Sequence, residues 1–368
     1  MKPKTVAEIN LNHLLHNIHA IQKQVFPAKV IPVVKADAYG HGAVPVARRL
    51  EKEGIEMFAV AQFKEAMELR DSGITRPILI FGRLFPGEIS EALKANFRIS
   101  VFGKEDLVWI EKANESLPAY VHVNVETGMG RVGLILDQEP DFFDYLGASK
   151  CCIWEGCYSH FSTSDEMDKT YANLQLQRFK KILSTLKQQK VRPGMIHMAN
   201  SGAILDISES YFDVVRAGIL MYGHLPSPDT TGSIQPKQVM TLKTYVGHIR
   251  DMPAGHAISY GRRWTTPKAT KIAVLPIGYA DGIRRGLTNI GDVLIRGKRY
   301  HMVGTVTMDQ IMIDVGDDPI KSGDEVILWG DSQQGSILVA EVAEKIGTIP
   351  YEITCGVSKR IKREYIEE

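Results

Sequence analysis

The chain has 368 residues, 44% of them hydrophobic and 24% charged, with a net charge of +1. This composition excludes a disordered chain, and the length asks for more than one core, so two domains are expected. The near-zero charge leaves no basic footprint for nucleic acid, and no apolar run approaches the roughly 20 residues of a membrane span, so neither partner is expected.

The opening MKPKTVAEIN has no apolar signal core, so a cytoplasmic location is expected. The first ten or so residues are candidates to pair with a later β domain. Val30–Val34 is a β-branched run, the pattern of a buried strand, and it ends in Lys35 before the chain turns through Asp37, Ala38, Tyr39 and Gly40. A lysine at the rim of a buried strand is desolvated on one side. That lowers its pKa and makes the amine able to form a Schiff base.

Strand-like runs recur at Lys29–Lys35, Met57–Gln62, Pro77–Gly82, Arg98–Gly103, Tyr120–Glu126, Ile153–His160, Met195–Asn200 and Phe212–Gly218. Helix-like stretches lie between them, among them Val44–Gly54, Phe63–Gly73 and Lys169–Lys190. Eight alternating units predict an α/β fold, a (β/α)8 TIM barrel. An open doubly wound sheet is the competing architecture, but no GxGxxG follows an early strand.

The rhythm changes at Pro226-Ser227-Pro228-Asp229-Thr230-Thr231-Gly232, which reads as a linker. The barrel is therefore assigned to residues 1–232 and a smaller, mainly-β domain to 233–368. Its predicted strands are Met240–Ile249, Lys271–Pro276, Gly291–Ile295, Met302–Val306, Gln310–Val315 and Glu325–Trp329, with a helix near Val339–Ile346. The cysteines Cys151, Cys152, Cys157 and Cys355 fit no zinc spacing and no disulfide framework, and read as reduced thiols.

A barrel of this kind builds its active site at the C-terminal ends of its strands. Lys35 ends the first strand, Arg131 follows the fifth, and His160 ends the sixth; Asn200 and Ser201 end the seventh, and Arg216 and Gly218 the eighth. Asn200-Ser201-Gly202 and Arg216-Ala217-Gly218-Ile219 are placed to open helical turns, whose unpaired N–H groups bind phosphate. An amine for a Schiff base facing a phosphate cradle is what pyridoxal 5′-phosphate requires. A metal-dependent hydrolase is the other enzyme class to weigh, because His41, His122, His160 and His197 fall near strand ends, yet no HxH pair occurs.

The segments VVKADAYGHG, ETGMGRVG, HMANSGA, VVRAGILMYG, ISYGRRW, PIGYADG and TVTMDQ occur in this order along the chain. In them the chain resembles the alanine racemases, two-domain pyridoxal-phosphate enzymes of fold type III, over nearly its whole length. The resemblance implies racemisation of L-alanine and D-alanine, with D-alanine supplied to cell-wall peptidoglycan. It makes Lys35 the cofactor lysine and first base. Tyr260, reaching the site from the partner subunit of a homodimer with shared sites, would be the second base. It places Arg216 against the pyridine nitrogen, with His160 linking Arg216 to Tyr260. Tyr39, Ser201, Gly218, Ile219 and Tyr351 would hold the phosphate. Arg131 and the Met308 backbone would take the substrate carboxylate, and Tyr279 with Tyr351 would narrow the mouth.

One position departs from the pattern. Many members carry a carbamylated lysine where this chain has Asn124, which has no charge to orient Arg131. A bound anion, chloride most simply, is expected there. Serine or broader amino-acid racemisation, and a non-catalytic pyridoxal-phosphate carrier, are the alternative readings.

Overall fold

A computed structural model describes residues 4–114, 117–188, 193–333 and 335–367. The end of the expected helix at Lys190 lies outside the described residues, as do residues 1–3.

The chain starts with β1 (Val6–Asn10), then a helix over Leu11–Val25. Asn10 caps that helix by accepting from the His13 N–H at 2.9 Å. Its buried residues Leu11, Leu14, Leu15, Ile18, Ile21 and Val25 recur at helical spacing and face the core. Asn17 is buried on the same face; its side chain donates to the carbonyls of Met221 and Lys237 and accepts from the Lys237 N–H.

Eight strands follow: β2 (Lys29–Pro32), β3 (Phe58–Val60), β4 (Ile78–Ile80), β5 (Arg98–Val101), β6 (Ala119–Asn124), β7 (Cys152–Tyr158), β8 (Met195–His197) and β9 (Val214–Ala217). From β3 to β9 each pairs in parallel with the next, and β9 pairs with β2. The ring closes between β2 and β3 through a bridge from Val33 to Ala59, with the Val34 N–H donating to the Ala59 carbonyl at 2.9 Å. Runs such as Phe58-Ala59-Val60 and Ile78-Leu79-Ile80 are wholly buried, as strands covered on both faces must be. The expected barrel is therefore present, with each of the eight predicted runs overlapping one strand.

The second region is mainly β. Its large sheet runs Lys298–His301, Asp292–Ile295, Glu325–Ser332, Met240–Tyr245, β1, Lys362–Ile366, with Gly335–Ile337 on its flank. A three-stranded sheet of His248–Met252, Thr270–Leu275 and Ile311–Gly316 lies beside it. β1 pairs with Met240–Tyr245 and Lys362–Ile366, so the chain's first strand sits in the second region's sheet. We propose 232/233 as the domain boundary, with β1 an outlying strand of the second domain.

Two predicted strands change, and two elements are added. Met240–Ile249 is two strands in different sheets, parted after Tyr245. Met302–Val306 is no strand: the pairing segment is Lys298–His301, Met302 makes an isolated bridge to Ile313, and Gly304 turns the chain at φ +75°. The helix predicted near Val339–Ile346 spans Val339–Lys345, and a helix over Pro350–Cys355 and the strand Lys362–Ile366, neither of them predicted, follow it. Arg363 anchors the end of this region. Its guanidinium donates to the carbonyls of Gly40, Val357, Ser358 and Ile361, tying this region to the turn after Lys35.

Candidate active site

One cavity of about 370 Å³ opens at the C-terminal ends of the barrel strands. Lys35, Tyr39, Asn124, Arg131, His160, Ser201, Arg216, Gly218, Ile219 and Tyr351 all line it. Ten positions chosen from the sequence therefore meet at one mouth.

β2 ends at Pro32, and Lys35 opens a short turn rather than ending the strand. Ala36, Asp37, Ala38 and Tyr39 all have φ between 52° and 54°, left-handed backbone that costs an L-residue roughly 1–2 kcal/mol. Neighbours hold this strain in place. Glu65 accepts from the Ala36 N–H at 2.7 Å, Asp37 accepts from the Ala43 N–H at 2.7 Å, and the His41 ring bonds the carbonyls of Ala38 and Tyr39. Burial first, and then the Arg131 cation, hold the Lys35 amine below its ordinary pKa.

Arg131 comes from the loop after β6. Glu126 accepts from the Gly128 and Gly130 N–H groups, while Tyr171 and Arg178 donate to the carbonyls of Gly128 and Thr127. The loop that carries Arg131 is thus tied to itself and to the following helix.

On the far side, a helix starts at Ser201 and a 3-10 turn at Ile219. The first N–H groups of such turns have no intrahelical partner. Ser201 Oγ accepts from the Gly218 and Leu220 N–H groups at 3.2 and 3.3 Å, joining the two turns. Tyr39 packs against Tyr222 and Tyr351 with ring centroids 4.9 and 5.9 Å apart, so Tyr351 arrives at the barrel mouth from the Pro350–Cys355 helix.

Arg216 is 4% exposed. Its Nη2 donates to the Ser159 and Met198 carbonyls and to His160 Nδ1 at 3.1 Å, and Nη1 donates to His197 Nδ1 at 2.8 Å. Nε–H takes part in none of these bonds. Burial lowers the Arg216 pKa to about 10, which still leaves it cationic at neutral pH. Burial, then the Arg216 charge, keeps His160 and His197 well below the usual histidine range, so both rings are neutral.

Three predicted residues lie elsewhere in this chain. Tyr260 is 75% exposed and lines a separate cleft of the β region with Arg250, Met252 and Met312. Tyr279 and Met308 are exposed and do not line the cavity of their own chain. The link from His160 to Arg216 is present, while the link onward to Tyr260 is not formed within one chain. Sequence reading missed Tyr158, whose ring lies under the Arg216 guanidinium at 5.3 Å and stacks on His197 at 4.8 Å. It also gave His197 and His122 only a metal role. Among the described residues no group of three or more His, Cys, Asp or Glu converges on a metal-sized position.

The family profiles "Alanine racemase, N-terminal domain" and "Alanine racemase, C-terminal domain" match residues 9–226 and 239–365. The chain belongs to the alanine racemase family. Alanine racemase of Desulforamulus reducens is 43% identical over the full length of both chains. Alanine racemase 2 of Caldanaerobacter subterraneus subsp. tengcongensis is 41% identical, covering 98% of this chain and 95% of that protein. Among solved structures, alanine racemase of Clostridium difficile 630 superposes with a TM-score of 0.93 at 38% identity, covering 99% of this chain and 96% of that one. Alanine racemase from Bacillus anthracis with bound L-Ala-P gives 0.93 at 36% identity, covering 100% and 96%. Alanine racemases are isomerases, and the barrel and β region described above are the architecture this chain shares with them.

Proposed function

We propose that the cavity binds pyridoxal 5′-phosphate and that the chain interconverts L-alanine and D-alanine. The observation that carries this is the meeting of Lys35, the Ser201 and Ile219 turns and Arg216 in one cavity, in a chain of this family. The residues fit the group. A Cβ on Gly218 would come within 2.8 Å of the Tyr39 hydroxyl, so the glycine keeps a cradle open beside that hydroxyl and Ser201. Arg216 spends both terminal nitrogens on protein acceptors and keeps Nε–H for a ligand. Pyridoxal phosphate supplies an aldehyde for an amine and a sink for the electrons of the substrate Cα–H bond.

In this reading Lys35 Nζ carries the cofactor and then moves a proton on one face of Cα. Tyr39, Ser201, Gly218, Ile219 and Tyr351 hold the phosphate. Arg131 binds the substrate carboxylate, with Asn124 and a chloride ion beside it. A base on the other face is required, because one group cannot reach both. We assign it to the partner subunit's Tyr260, with the Met308 backbone and Tyr279 from that subunit at the mouth. The exposure of all three on this chain supports a homodimer with shared sites. Two tyrosines at the mouth favour a methyl side chain, with serine the near competitor. By the same reading the D-alanine serves cell-wall peptidoglycan, made in the cytoplasm; no described helix is long and apolar enough to cross a membrane.

Purified protein is expected to absorb visible light, to carry pyridoxyl on Lys35 after borohydride reduction, and to racemise alanine ahead of serine. Colourless protein that stays inert with added pyridoxal phosphate overturns the proposal. Turnover that does not change when chloride is replaced by a larger anion removes the chloride from it.

A further inference from the structure

Below the cavity, inside the barrel, four hydrogen-bonded side chains run from Arg216 to Glu155. Arg216 Nη1 meets His197 Nδ1 at 2.8 Å, His197 Nε2 meets His122 Nδ1 at 3.0 Å, and His122 Nε2 meets Glu155 Oε2 at 3.0 Å. His122 and His197 are fully buried. The far end is clamped by Arg98, the first residue of β5. Its Nε and Nη2 donate to both Glu155 oxygens at 3.0–3.1 Å.

The local backbone is shaped for this line. Opposite the step from Val121 to His122, β7 carries one extra residue, Glu155: Val121 pairs with Trp154 and His122 with Gly156. Gly156 leaves room for the imidazole, since a Cβ there would stand 2.4 Å from His122 Nδ1.

The chemistry permits one proton arrangement. Arginine only donates, so His197 Nδ1 must be bare and its proton must sit on Nε2. That proton needs a bare Nδ1 on His122, which puts the second proton on Nε2, facing the carboxylate. An ionised Glu155 only accepts, so the far end demands the same direction as the near end. Burial pushes the Glu155 pKa up, but the bonds from His122 and Arg98 outweigh it and keep the group ionised. Reversing His197 would set a proton against the Arg216 donor, and reversing His122 alone would set its proton against the His197 Nε2–H and leave a bare nitrogen facing the carboxylate.

We infer that Glu155 is a positioning residue for Arg216, acting through His122 and His197. It fixes the tautomer of both rings, so that Arg216 Nη1 always meets an acceptor and the guanidinium holds one orientation in the cavity. The tautomers follow from this chain alone; the use of that orientation, presenting Nε–H to the cofactor, rests on the proposed function.

The test is Glu155→Gln in the holoenzyme, read by the ring 15N shifts of labelled histidines. In the parent, His122 and His197 are both expected as Nε2–H tautomers, unchanged between pH 6 and 9. In the variant the Arg98 fork retains the amide oxygen, and the amide NH2 faces His122. Both rings then switch to Nδ1–H and Arg216 loses its acceptor. The cofactor absorbance band shifts, and pyridoxal-phosphate affinity falls about tenfold, the scale of one charge-assisted hydrogen bond. Glu155→Asp, which keeps the carboxylate, restores the parent tautomers and spectrum. An Nε2–H His197 in Glu155→Gln overturns the inference, and so does a switched His197 with parent absorbance and affinity. If Glu155→Gln does not fold, Gly156→Ala parts His122 from His197 instead; His122 is then expected to stay Nε2–H under Glu155 alone, and an Nδ1–H His122 there is equally fatal. A parent protein that binds no pyridoxal phosphate fails the proposed function instead, and leaves the tautomer result standing.

Discussion

The Tyr39 hydroxyl stands where it would crowd any side chain at Gly218. A single added methyl group would approach that oxygen to 2.8 Å, and Tyr39 is boxed in by Tyr222 and Tyr351. Gly218→Ala therefore pushes on a buried ring that has little room to give. We expect pyridoxal-phosphate affinity to fall about tenfold or more, with the midpoint of thermal unfolding of the cofactor-free protein nearly unchanged. Fluorescence titration of cofactor-stripped protein measures the first and calorimetry the second.

Lys35 titrates below an ordinary lysine because it is buried and faces the Arg131 cation. Removing that cation in Arg131→Gln should raise the Lys35 pKa and slow its reaction with an amine-directed reagent near neutral pH. Competitive labelling of cofactor-free protein across pH 7–10, with the Lys35 peptide quantified by mass spectrometry, reads the shift. An Arg131→Gln curve superimposed on the parent's rejects the electrostatic account.

His41 and His224 are buried, each with an Nε2 that finds no hydrogen-bond partner among the described residues. Burial lowers His41 to about 4 and, with a further push from His41, His224 to about 3. The unfolded chain takes up these protons near pH 6.5 and the folded protein does not. Stability is thus full above about 6.5 and falls as the pH drops toward the folded values. Each ring contributes a slope of about 1.4 kcal/mol per pH unit between pH 6 and 5. Urea unfolding of His224→Gln should show a slope shallower by about one such increment than the parent.

The assignment of Tyr260 to the partner's site makes a counting prediction. Lys35→Ala and Tyr260→Phe homodimers are each expected to be inactive or nearly so. Unfolded together and refolded as a mixture, about half the dimers are mixed, and each mixed dimer holds one intact site. Activity should recover to about a quarter of the parent's. If Tyr260 served its own chain, every mixed dimer would be dead and nothing would recover.

The barrel and its mouth were legible because parallel strands buried on both faces write themselves as apolar runs, and chemistry gathers at their ends. Lys35, Ser201 and Arg216 could be placed from those runs alone. The turn from Ala36 to Tyr39 could not. Alanine and tyrosine carry no signal for left-handed backbone and a single aspartate only a weak one, and it is Glu65, Asp37 and His41 that hold it. The line from Arg216 to Glu155 was hidden for another reason. His122, Glu155 and His197 come from three strands, and the extra residue that turns Glu155 toward His122 shows only in the pairing register. The Lys362–Ile366 strand was passed over because its sequence is mostly charged, and its strand partner is 350 or so residues away.

That pairing has a consequence for biosynthesis. β1 leaves the ribosome long before its neighbours Met240–Tyr245 and Lys362–Ile366 are made. The eight-stranded ring can be translated in full while this leading segment still waits with bare edges, a template for the wrong neighbour. Expression at high level should be limited by that interval, and chaperones that shield emerging apolar segments should matter more for this chain than for a barrel with no strand lent to a later domain.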